Sequence, residues 1–437
     1  MIYIGLEIHI RLKSNTKLFS RAPNVYSKDL VANTATNPVD IAYPGTLPSF
    51  NPVCLEHAIA LGLALNMHIS PISYFERKSY SYPDLPKGYQ VTQEHHPVLK
   101  DGIIILPNKK IIRIKKAHLE EDAAKLIRDK EGCIIDHNRA GAPLIELVTY
   151  PDIHNVEDAI ACLKEVHYLI RHLGISDGDM SLGCFRADVN VSIGTNDQLG
   201  SRQELKNLNS FVFARQALEY EIDRLNSLKD PEPATRGFCQ NTKRTFLMRS
   251  KEEAGDYLYL PDPDIPPIVI NKNLIDKVKK HMALIPSKIR DLYVDLKHPQ
   301  IDHILDHPEW IKPLEIMRNK IGPEQAYKWM CILKNHHDQV NWNRAVDLIQ
   351  QCFQTHTTDQ ILKSIINGSY IISVVDINIK SLIVQILENQ SNAVKDYQNG
   401  KLQALASLIA YGKKIAPEVN MKELSQQIKN ILDVKKV

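Results

Sequence analysis

Features that would place this chain of 437 residues in a specialised class are missing from its sequence. The seven cysteines form no CxxC pair, which argues against a disulfide framework and favours a reducing compartment. The most apolar run is too short to cross a bilayer, and the first residues read as a strand rather than as a secretory signal. The formal net charge is only +3, so a nucleic-acid partner would have to bind a local basic patch. We therefore expect a protein of the cytosol or of an organelle matrix, with no membrane segment.

Internal repeats, low-complexity tracts and the glycine-rich phosphate motifs are missing as well. Neither G-x-x-x-x-G-K-[ST] nor G-x-G-x-x-G occurs, so a P-loop or Rossmann site is not supported. The composition is that of a globular protein, with 43% hydrophobic and 24% charged residues. Short alternating strands with Pro/Gly turns and a few helices fill residues 1 to about 290, and helical spacing dominates from there onward. This pattern predicts an α+β fold followed by an all-helical region, with a helix break at Gly400.

The first predicted strand carries a carboxylate and an imidazole on one face. In "IYIGLEIHIRL", the residues Ile4, Leu6 and Ile8 alternate with others and predict a face toward the core. Glu7 and His9 then share the opposite face. That face is either an ordinary solvated one or part of a divalent-metal site, because His–carboxylate pairs are common metal ligands.

A second polar face is predicted on two strands joined by "GTNDQLG". The strand "FRADVNVSI" places Arg186 and Asp188 on one face, and "QELK" does the same for Glu204 and Lys206. Such a density of charge indicates the floor of a charged cleft, although an ordinary polar sheet face would give the same pattern.

The acidic triplet Glu120, Glu121 and Asp122 lies in "RIKKAHLEEDAAKL". We expect a hairpin that turns at Pro107, followed by a helix that begins near the triplet. The helix dipole would favour one or two carboxylates in the first turn. A cation is the simplest explanation for the rest.

A shared cation would hold together acids that otherwise repel each other. Glu121 would turn toward Glu7 and His9, and Glu146 in the apolar "PLIELV" must be paired, neutral or metal-bound. Oxygen ligands without cysteine fit Mg²⁺ better than Zn²⁺, and Mg²⁺ in basic surroundings indicates phosphoryl chemistry. The candidate phosphate-binding side chains are Arg77, Lys78, Arg139, Arg186 and Lys206.

Aromatic residues and prolines crowd the segment "SYFERKSYSYPDLPKGYQVTQ". Tyr80, Tyr82 and Tyr89 are candidates for stacking on a purine or on the end of a tRNA. Aromatic residues beside turns also commonly plug a core, and both interpretations stay open at this point.

A series of segments, in this order, resembles the B subunits of glutamyl-tRNA(Gln)/aspartyl-tRNA(Asn) amidotransferases. They are "IGLEIHIRL", "YPDLPKGYQVTQ", "HLEEDAAKL", "NRAGAPLIELV", "PDI", "FRADVNVSI", "ELKNLNSF" and "RSKEEAGDYLYLPDPDIPP". The resemblance continues more weakly through "AVKDYQNGKLQALASLI". It implies a cradle-shaped catalytic domain over residues 1–290, a helical linker over 291–370 and a tRNA-binding helical tail over 371–437.

The resemblance implies a ligase subunit that forms carbon–nitrogen bonds with glutamine as the amido donor, in the bacterial cytoplasm or an organelle matrix. Such a subunit uses ATP and Mg²⁺ to phosphorylate the side-chain carboxylate of Glu-tRNA(Gln) or Asp-tRNA(Asn). Ammonia from the amidase A subunit then displaces the phosphate, and a small C subunit completes the heterotrimer. By motif, the family's site residues fall on Glu7, His9, Glu121, Glu146, Asp188 and Glu204. Of these, His9, Glu121, Glu146 and Glu7 are the expected Mg²⁺ ligands, with Asp188 and Glu204 behind them or on another divalent ion.

The chain departs from the family pattern in several places. Some members carry a cysteine cluster near the N-terminus, whereas residues 19–48 here have no cysteine, so no zinc is expected. Ala124, Ala234 and Leu258 replace a usual glycine, glutamate and arginine, and the last two changes remove candidate phosphate or tRNA-end contacts. A family segment is missing between "SIINGSYIIS" and "SLIVQILENQ", and the run after Tyr411 is compressed, which predicts weaker binding of the tRNA body.

Two hypotheses of different classes follow. In the first, the chain is a kinase–amidotransferase subunit that is active with its A and C partners. In the second, it is a scaffold of the same fold that has lost catalysis and binds tRNA or other subunits. The clustered acids favour the first, because a scaffold has no reason to hold repelling carboxylates together. A third hypothesis, an unrelated Mg²⁺-dependent nucleic-acid enzyme, accounts for the acids but not for the order of the motifs.

Overall fold

A computed structural model describes residues 1–27, 29–128, 132–195, 198–228, 231–250, 257–352, 356–370, 379–401, 403–416 and 421–434. The chain divides into two compact units, Met1–Leu292 and Tyr293–Val437. The first unit mixes strands and helices, and the described residues of the second are helical, so the predicted α+β fold is confirmed. The domain limits at 290 and 370 stay predictions. Among the described helices, none has both the length and the apolar character needed to cross a membrane.

The first unit contains sixteen described strands and five described helices. The strands are β1 (Ile2–Arg11), β2 (His68–Ile69), β3 (Ile72–Ser73), β4 (Glu76–Ser79), β5 (Tyr89–Thr92), β6 (Leu99–Ile105), β7 (Ile111–Glu121), β8 (Lys125–Arg128), β9 (Cys133–Asp136), β10 (Pro143–Thr149), β11 (Phe185–Ile193), β12 (Gln203–Lys206), β13 (Ala234–Cys239), β14 (Arg244–Ser250), β15 (Leu258–Pro261) and β16 (Ile268–Val269). The helices are α1 (Pro52–Ala64), α2 (Val156–His172), α3 (Phe211–Asn226), α4 (Lys272–Lys280) and α5 (Pro286–Leu292).

Nine of these strands form one sheet, in the order β14-β13-β12-β11-β1-β10-β7-β6-β2. Neighbouring strands are antiparallel except β12 and β13, which run parallel. The predicted pairing of "FRADVNVSI" with "QELK" is confirmed, since β11 and β12 are antiparallel neighbours. Three small sheets, β15-β4-β5, β16-β3 and β8-β9, complete the unit.

One face of the nine-stranded sheet forms the core of the unit. Ile4, Ile8 and Ile10 of β1 are fully buried there, as their alternation predicts. Helices α1, α2 and α3 pack on the same face. Each fully buried aliphatic side chain of this kind stabilises the fold by about 1.5–3 kcal/mol. Because successive side chains of a strand point to opposite sides, the other face is left to polar side chains.

The segment around the acidic triplet is a strand and not the beginning of a helix. The hairpin predicted at Pro107 is confirmed: β6 and β7 pair around it. The helix predicted next is wrong, because β7 continues to Glu121 and pairs with β10 as far as Pro143. The ladder to β10 and the burial of Ala117 and Leu119 in the core stabilise the extended conformation here.

The described part of the second unit consists of nine α-helices and two short 3₁₀ turns, Pro308–Trp310 and Lys334–Gln339. The α-helices are α6 (His298–Leu305), α7 (Ile311–Ile321), α8 (Pro323–Leu333), α9 (Trp342–Cys352), α10 (Thr358–Ile366), α11 (Ile379–Asn389), α12 (Ser391–Gln398), α13 (Ala404–Ile415) and α14 (Met421–Val434). The missing family segment falls largely on residues 371–378, and the compressed run includes 417–420, so both predictions lie outside the described residues.

The last four helices share a small core. Leu382, Ile386, Leu408 and Leu424 are buried in it. The predicted break at Gly400 is confirmed, since it lies between α12 and α13 with φ +90°. That backbone conformation is easily reached only by glycine.

We expect the substitution Gly400→Ala to lower the free energy of unfolding of the helical unit by about 1 kcal/mol, because alanine is strained at a positive φ. Urea unfolding followed by circular dichroism measures the effect. The control is Asn399→Ala at the neighbouring position, where φ is −80°. Equal stability of the two variants would contradict the prediction.

Candidate metal and phosphate site

Polar side chains of four neighbouring strands lie in register on the face of the large sheet opposite the core. Glu146 of β10 is the cross-strand partner of His118 on β7 and of His9 on β1. Arg186 of β11 follows next to His9. Directly opposed residues in antiparallel strands have Cβ atoms about 4.5–5.5 Å apart. One carboxylate is therefore flanked by two imidazoles.

Four side chains converge around Glu146. Its Oε2 lies 3.4 Å from His9 Nε2 and 3.7 Å from His118 Nε2. Glu120 approaches both rings at 3.7 Å, and Glu7 Oε1 lies 3.8 Å from His9 Nε2. Two trios of potential ligand atoms, one of Glu7, His9 and Glu146 and the other of His118, Glu120 and Glu146, each lie within 4.8 Å of one another. We call these five residues the acid–histidine cluster.

The charges in the acid–histidine cluster are strongly coupled. Burial, together with the charge of Glu146, raises the pKa of Glu7 to about 7. Burial alone would lower the pKa of His9, but its contact with Glu146 and the charges of Glu146 and Glu120 raise it to about 9. Burial would raise the pKa of Glu146, yet the charges of His118 and His9 keep it below its usual range. Protons on His9 and Glu7 therefore offset the negative charge near neutral pH.

This donor set fits a divalent cation. Three carboxylates and two imidazoles present ligand atoms to a common region. Carboxylate oxygens are the ligands that Mg²⁺ prefers, and imidazoles widen the choice to softer divalent ions. A bound cation would displace protons from these groups, as metal binding generally does.

The three acids of the triplet have three different sets of partners. Glu120 belongs to the acid–histidine cluster. Glu121 accepts a hydrogen bond from the backbone N–H of Val91 at 3.0 Å and ion-pairs with Lys87 at 2.5 Å. Because Glu121 follows Glu120 in a strand, its side chain points to the opposite face of the sheet. Its role as a metal ligand stays a prediction.

Asp122, the third acid, is an anchor for arginines. Its Oδ2 accepts a hydrogen bond from Arg186 Nη2 at 2.9 Å and lies 3.7 Å from Arg139 Nε. Burial would raise the pKa of Asp122, but the charges of Arg186 and Arg139 hold it below its usual range. Asp122 thereby fixes Arg186 beside His9.

His118 and Glu120 were missed by the sequence reasoning. Their signal was present in "AHLEE", where they have the same spacing of two residues as Glu7 and His9. The spacing carries information only in an extended strand, and the expectation of a helix at this point concealed it.

Asp188 and Glu204 share an ammonium group. Lys206 lies 2.5 Å from Asp188 and 2.7 Å from Glu204, and Thr235 Oγ1 donates a hydrogen bond to Glu204 at 2.8 Å. Burial would lower the pKa of Lys206, but the two carboxylates raise it above its usual range. Glu7 is the cross-strand partner of Asp188, so this group adjoins the acid–histidine cluster. The metal roles of Asp188 and Glu204 stay predictions.

The five predicted phosphate-binding side chains lie in different surroundings. Arg186 and Lys206 are on the polar sheet face described above. Arg139 donates hydrogen bonds to two backbone carbonyls, those of Ala123 and Ala124. Arg139 is therefore engaged in holding its own loop.

Arg77 and Lys78 lie on β4, the middle strand of the three-stranded sheet β15-β4-β5. Arg77 pairs with Asp262 at 2.9 Å and with Asp264 at 2.7 Å. Lys78 Nζ lies 4.6 Å from the centre of the Tyr257 ring, and its charge helps to lower the pKa of Glu146. Of these two, Lys78 is the one that acts on the acid–histidine cluster.

The three tyrosines predicted to stack on a purine differ in exposure. Tyr80 packs edge-on against Tyr257, with ring centroids 5.4 Å apart. Tyr89 lies beneath the guanidinium of Arg77 at 4.4 Å. Tyr82 is half exposed. Their stacking role stays a prediction.

The match to a known protein family covers all the strands that carry this polar face. The GatB/GatE catalytic domain family matches residues 2–276, which contain every strand of the nine-stranded sheet. The chain belongs to this family. The resemblance of the sequence motifs to the B subunits of glutamyl-tRNA(Gln)/aspartyl-tRNA(Asn) amidotransferases is thereby confirmed.

Two curated relatives illustrate the match. The B subunit of the aspartyl/glutamyl-tRNA(Asn/Gln) amidotransferase of Francisella tularensis subsp. novicida is 42% identical over 343 residues, which are 75% of this chain and 72% of that protein. The protein of the same name from Variovorax paradoxus is 45% identical over 305 residues, which are 67% of this chain and 63% of that protein.

Two of the residues that depart from the family pattern, Ala124 and Leu258, differ in burial. Ala124 is fully buried, and its backbone N–H donates a hydrogen bond to the Asp84 carbonyl at 2.9 Å. Leu258 is exposed at the beginning of β15. An arginine would be accommodated at Leu258 without steric cost, so the fold does not explain that replacement.

Proposed function

We propose that the chain is the B subunit of a tRNA-dependent amidotransferase. In this role it uses ATP to phosphorylate the side-chain carboxylate of Glu-tRNA(Gln) or Asp-tRNA(Asn) and then amidates it with ammonia. The observation that carries the proposal is the acid–histidine cluster, which lies inside the residues matched by the GatB/GatE catalytic domain family. The names of the relatives support the substrate class.

The reaction needs ATP because a carboxylate is a poor acceptor for ammonia. A carboxylate oxygen of the tRNA-bound amino acid attacks the γ-phosphorus of ATP, and ADP leaves. Ammonia then attacks the acyl carbon of the mixed anhydride, and inorganic phosphate leaves. Such phosphoryl transfer depends mainly on positioning and on neutralising charge.

On the polar sheet face, the acids and imidazoles would bind the cation, and the basic side chains would bind anionic groups of the substrates. Glu7, His9 and Glu146, with Glu120 and His118, would hold Mg²⁺, which when bound neutralises phosphate oxygens. Arg186 and Lys206 flank that position and attract the anionic groups of both substrates. A bound cation would displace the proton that the raised pKa of Glu7 otherwise favours. The motif-derived Glu121 is replaced in this proposal by Glu120.

The proposal requires partner subunits as the source of ammonia. An amidase A subunit would release it from glutamine, and a small C subunit would complete the heterotrimer. The chain would act as a glutamine-dependent ligase only within that complex.

Reconstitution tests this function. The chain is combined with its A and C partners, misacylated Glu-tRNA(Gln), ATP and glutamine, and Gln-tRNA(Gln) and ADP are quantified together. We expect both products in equal amounts, and neither when this chain is omitted or when a non-hydrolysable ATP analogue replaces ATP. A parallel reaction with Asp-tRNA(Asn) measures substrate preference. Hydrolysis of glutamine with no amidation of either tRNA would contradict the proposal.

A further inference from the structure

Strand β14 exposes three consecutive large apolar side chains at the edge of the nine-stranded sheet. Phe246, Leu247 and Met248 are 47%, 59% and 50% exposed. Along the strand the patch lies between two polar residues, Thr245 and Arg249. Exposed apolar patches with polar neighbours commonly mark binding sites.

The register of the sheet connects this patch to the acid–histidine cluster. Phe246 is the cross-strand partner of Gly237, and Gly237 is the partner of Lys206. Lys206 contacts Asp188, which is the partner of Glu7. A continuous row therefore runs across the sheet from an aromatic ring, over a glycine and a lysine, to two carboxylates.

The glycine in this row leaves room for the ring. A Cβ atom on Gly237 would lie 2.6 Å from Phe246 Cζ and 3.1 Å from Met248 Sδ. The ring and the thioether thus lie over the glycine backbone. Phe246 is thereby held on the same face as Lys206, whereas Leu247 pairs with Arg236, whose side chain contacts Glu221 of α3 on the other face.

The order of chemical groups along the row matches that of a nucleotide. A purine base is apolar and stacks on aromatic rings, typically with a several-fold to hundredfold gain in affinity. The phosphates of such a ligand need positive charge, which Lys206 and a divalent cation held by the adjoining cluster would supply. Gly237 is three strand spacings from β1, about 14 Å, which an extended nucleotide can bridge.

We propose that Phe246 is the stacking platform for the adenine ring of a substrate whose charged end reaches Lys206 and the acid–histidine cluster. The inference rests on the proposed function and adds a base-binding subsite to it. Two substrates of that reaction carry such an adenine: ATP and the terminal adenosine of the aminoacyl-tRNA. Tyr80 and Tyr89 are packed against Tyr257 and Arg77, whereas Phe246 presents an exposed ring.

The experiment uses the reconstituted complex and four variants of this chain. Phe246→Leu keeps the apolar volume and removes the aromatic face, and Phe246→Trp restores an aromatic face. Gly237→Ala keeps the phenylalanine but places a Cβ atom 2.6 Å from its Cζ, so the ring must leave its position over residue 237. Leu247→Ala is the matched control, an exposed apolar residue on the same strand that faces the other side.

We expect Phe246→Leu to raise one KM about tenfold, with kcat within about twofold of the wild type. A rise in the KM for ATP identifies the base as that of ATP, and a rise in the KM for misacylated tRNA identifies it as the terminal adenosine. Phe246→Trp should restore the KM, Gly237→Ala should raise the same KM, and Leu247→Ala should leave both KM values unchanged.

Unchanged KM values in Phe246→Leu, or a fall in kcat alone, would overturn the inference. An equal effect of Leu247→Ala would overturn it as well, because the effect would then come from the strand rather than the ring. The wild-type complex separates the two proposals. Amidation by the wild type together with unaffected Phe246 variants refutes only the stacking platform, whereas a wild type that amidates neither tRNA refutes the proposed function.

Discussion

Glu120→Gln is expected to reduce tRNA amidation at least ~100-fold and to weaken divalent-cation binding by a similar factor. Glu121→Gln, one residue further, should leave cation affinity within about twofold of the wild type. The reason is the alternation of β7, which turns Glu120 toward His9 and His118 and turns Glu121 toward Lys87. Glutamine at position 121 keeps one acceptor oxygen but removes the negative charge that pairs with Lys87, so we expect a lower unfolding temperature for that variant.

Cation affinity is measured with Mn²⁺ as a spectroscopic probe in the assembled complex, and amidation with labelled misacylated tRNA. Glutamine hydrolysis by the A subunit provides the internal control, since both variants should retain it. If Glu121→Gln lost the cation while Glu120→Gln kept it, the motif-derived ligand would be correct and the strand-based one wrong.

Asp40→Asn is expected to lower the free energy of unfolding by about 3–5 kcal/mol, the usual cost of breaking a buried ion pair. Lys17 and Asp40 are 0% and 2% exposed, with Nζ and Oδ2 3.0 Å apart. Without the negative charge of Asp40, the buried Lys17 ammonium keeps only neutral acceptors nearby, among them the His137 carbonyl at 3.3 Å. The pair joins two parts of the segment between β1 and α1, and Lys17 also contacts the turn before β10 through the His137 carbonyl, so the loss should be global.

The matched control for Asp40 is an exposed ion pair whose lysine lies close to Lys17 in the sequence. Lys13 and Asp177 form an ion pair at 2.8 Å that is 61% and 40% exposed. Solvent screens such a pair, so Asp177→Asn should cost less than about 1 kcal/mol. Urea unfolding of both variants measures the difference. Similar losses in the two would show that burial does not determine the strength of these pairs.

The sequence predicted well what depends on a single strand. Glu7 and His9 could be placed on one face because Ile4, Leu6 and Ile8 define the other, and these three are buried in the structure. The turn at Pro107 and the break at Gly400 could be predicted because proline and glycine have narrow or unusual backbone preferences.

The sequence could not predict what depends on register between distant segments. Glu120 and Glu121 differ by one position, and in a strand one position reverses the face on which a side chain lies. The partners of the acidic triplet come from distant parts of the sequence. Glu121 pairs with Lys87 from the loop before β5, and Asp122 pairs with Arg186 from β11. Gly237 and Phe246 carried no signal for the site because only the parallel pairing of β12 with β13 brings them next to Lys206.

The central place of β1 in the sheet has a consequence for biosynthesis. β1 precedes the other described strands in the sequence, yet it hydrogen-bonds on one side to β10 and on the other to β11, which ends at Ile193. Its apolar residues therefore have no partner strand until β10, which ends at Thr149 about a third of the way along the chain, has been translated. Contacts so distant in sequence form slowly, and an unpaired apolar strand is a target for chaperones and for aggregation. The nascent chain can acquire its catalytic face only after β11 has emerged from the exit tunnel.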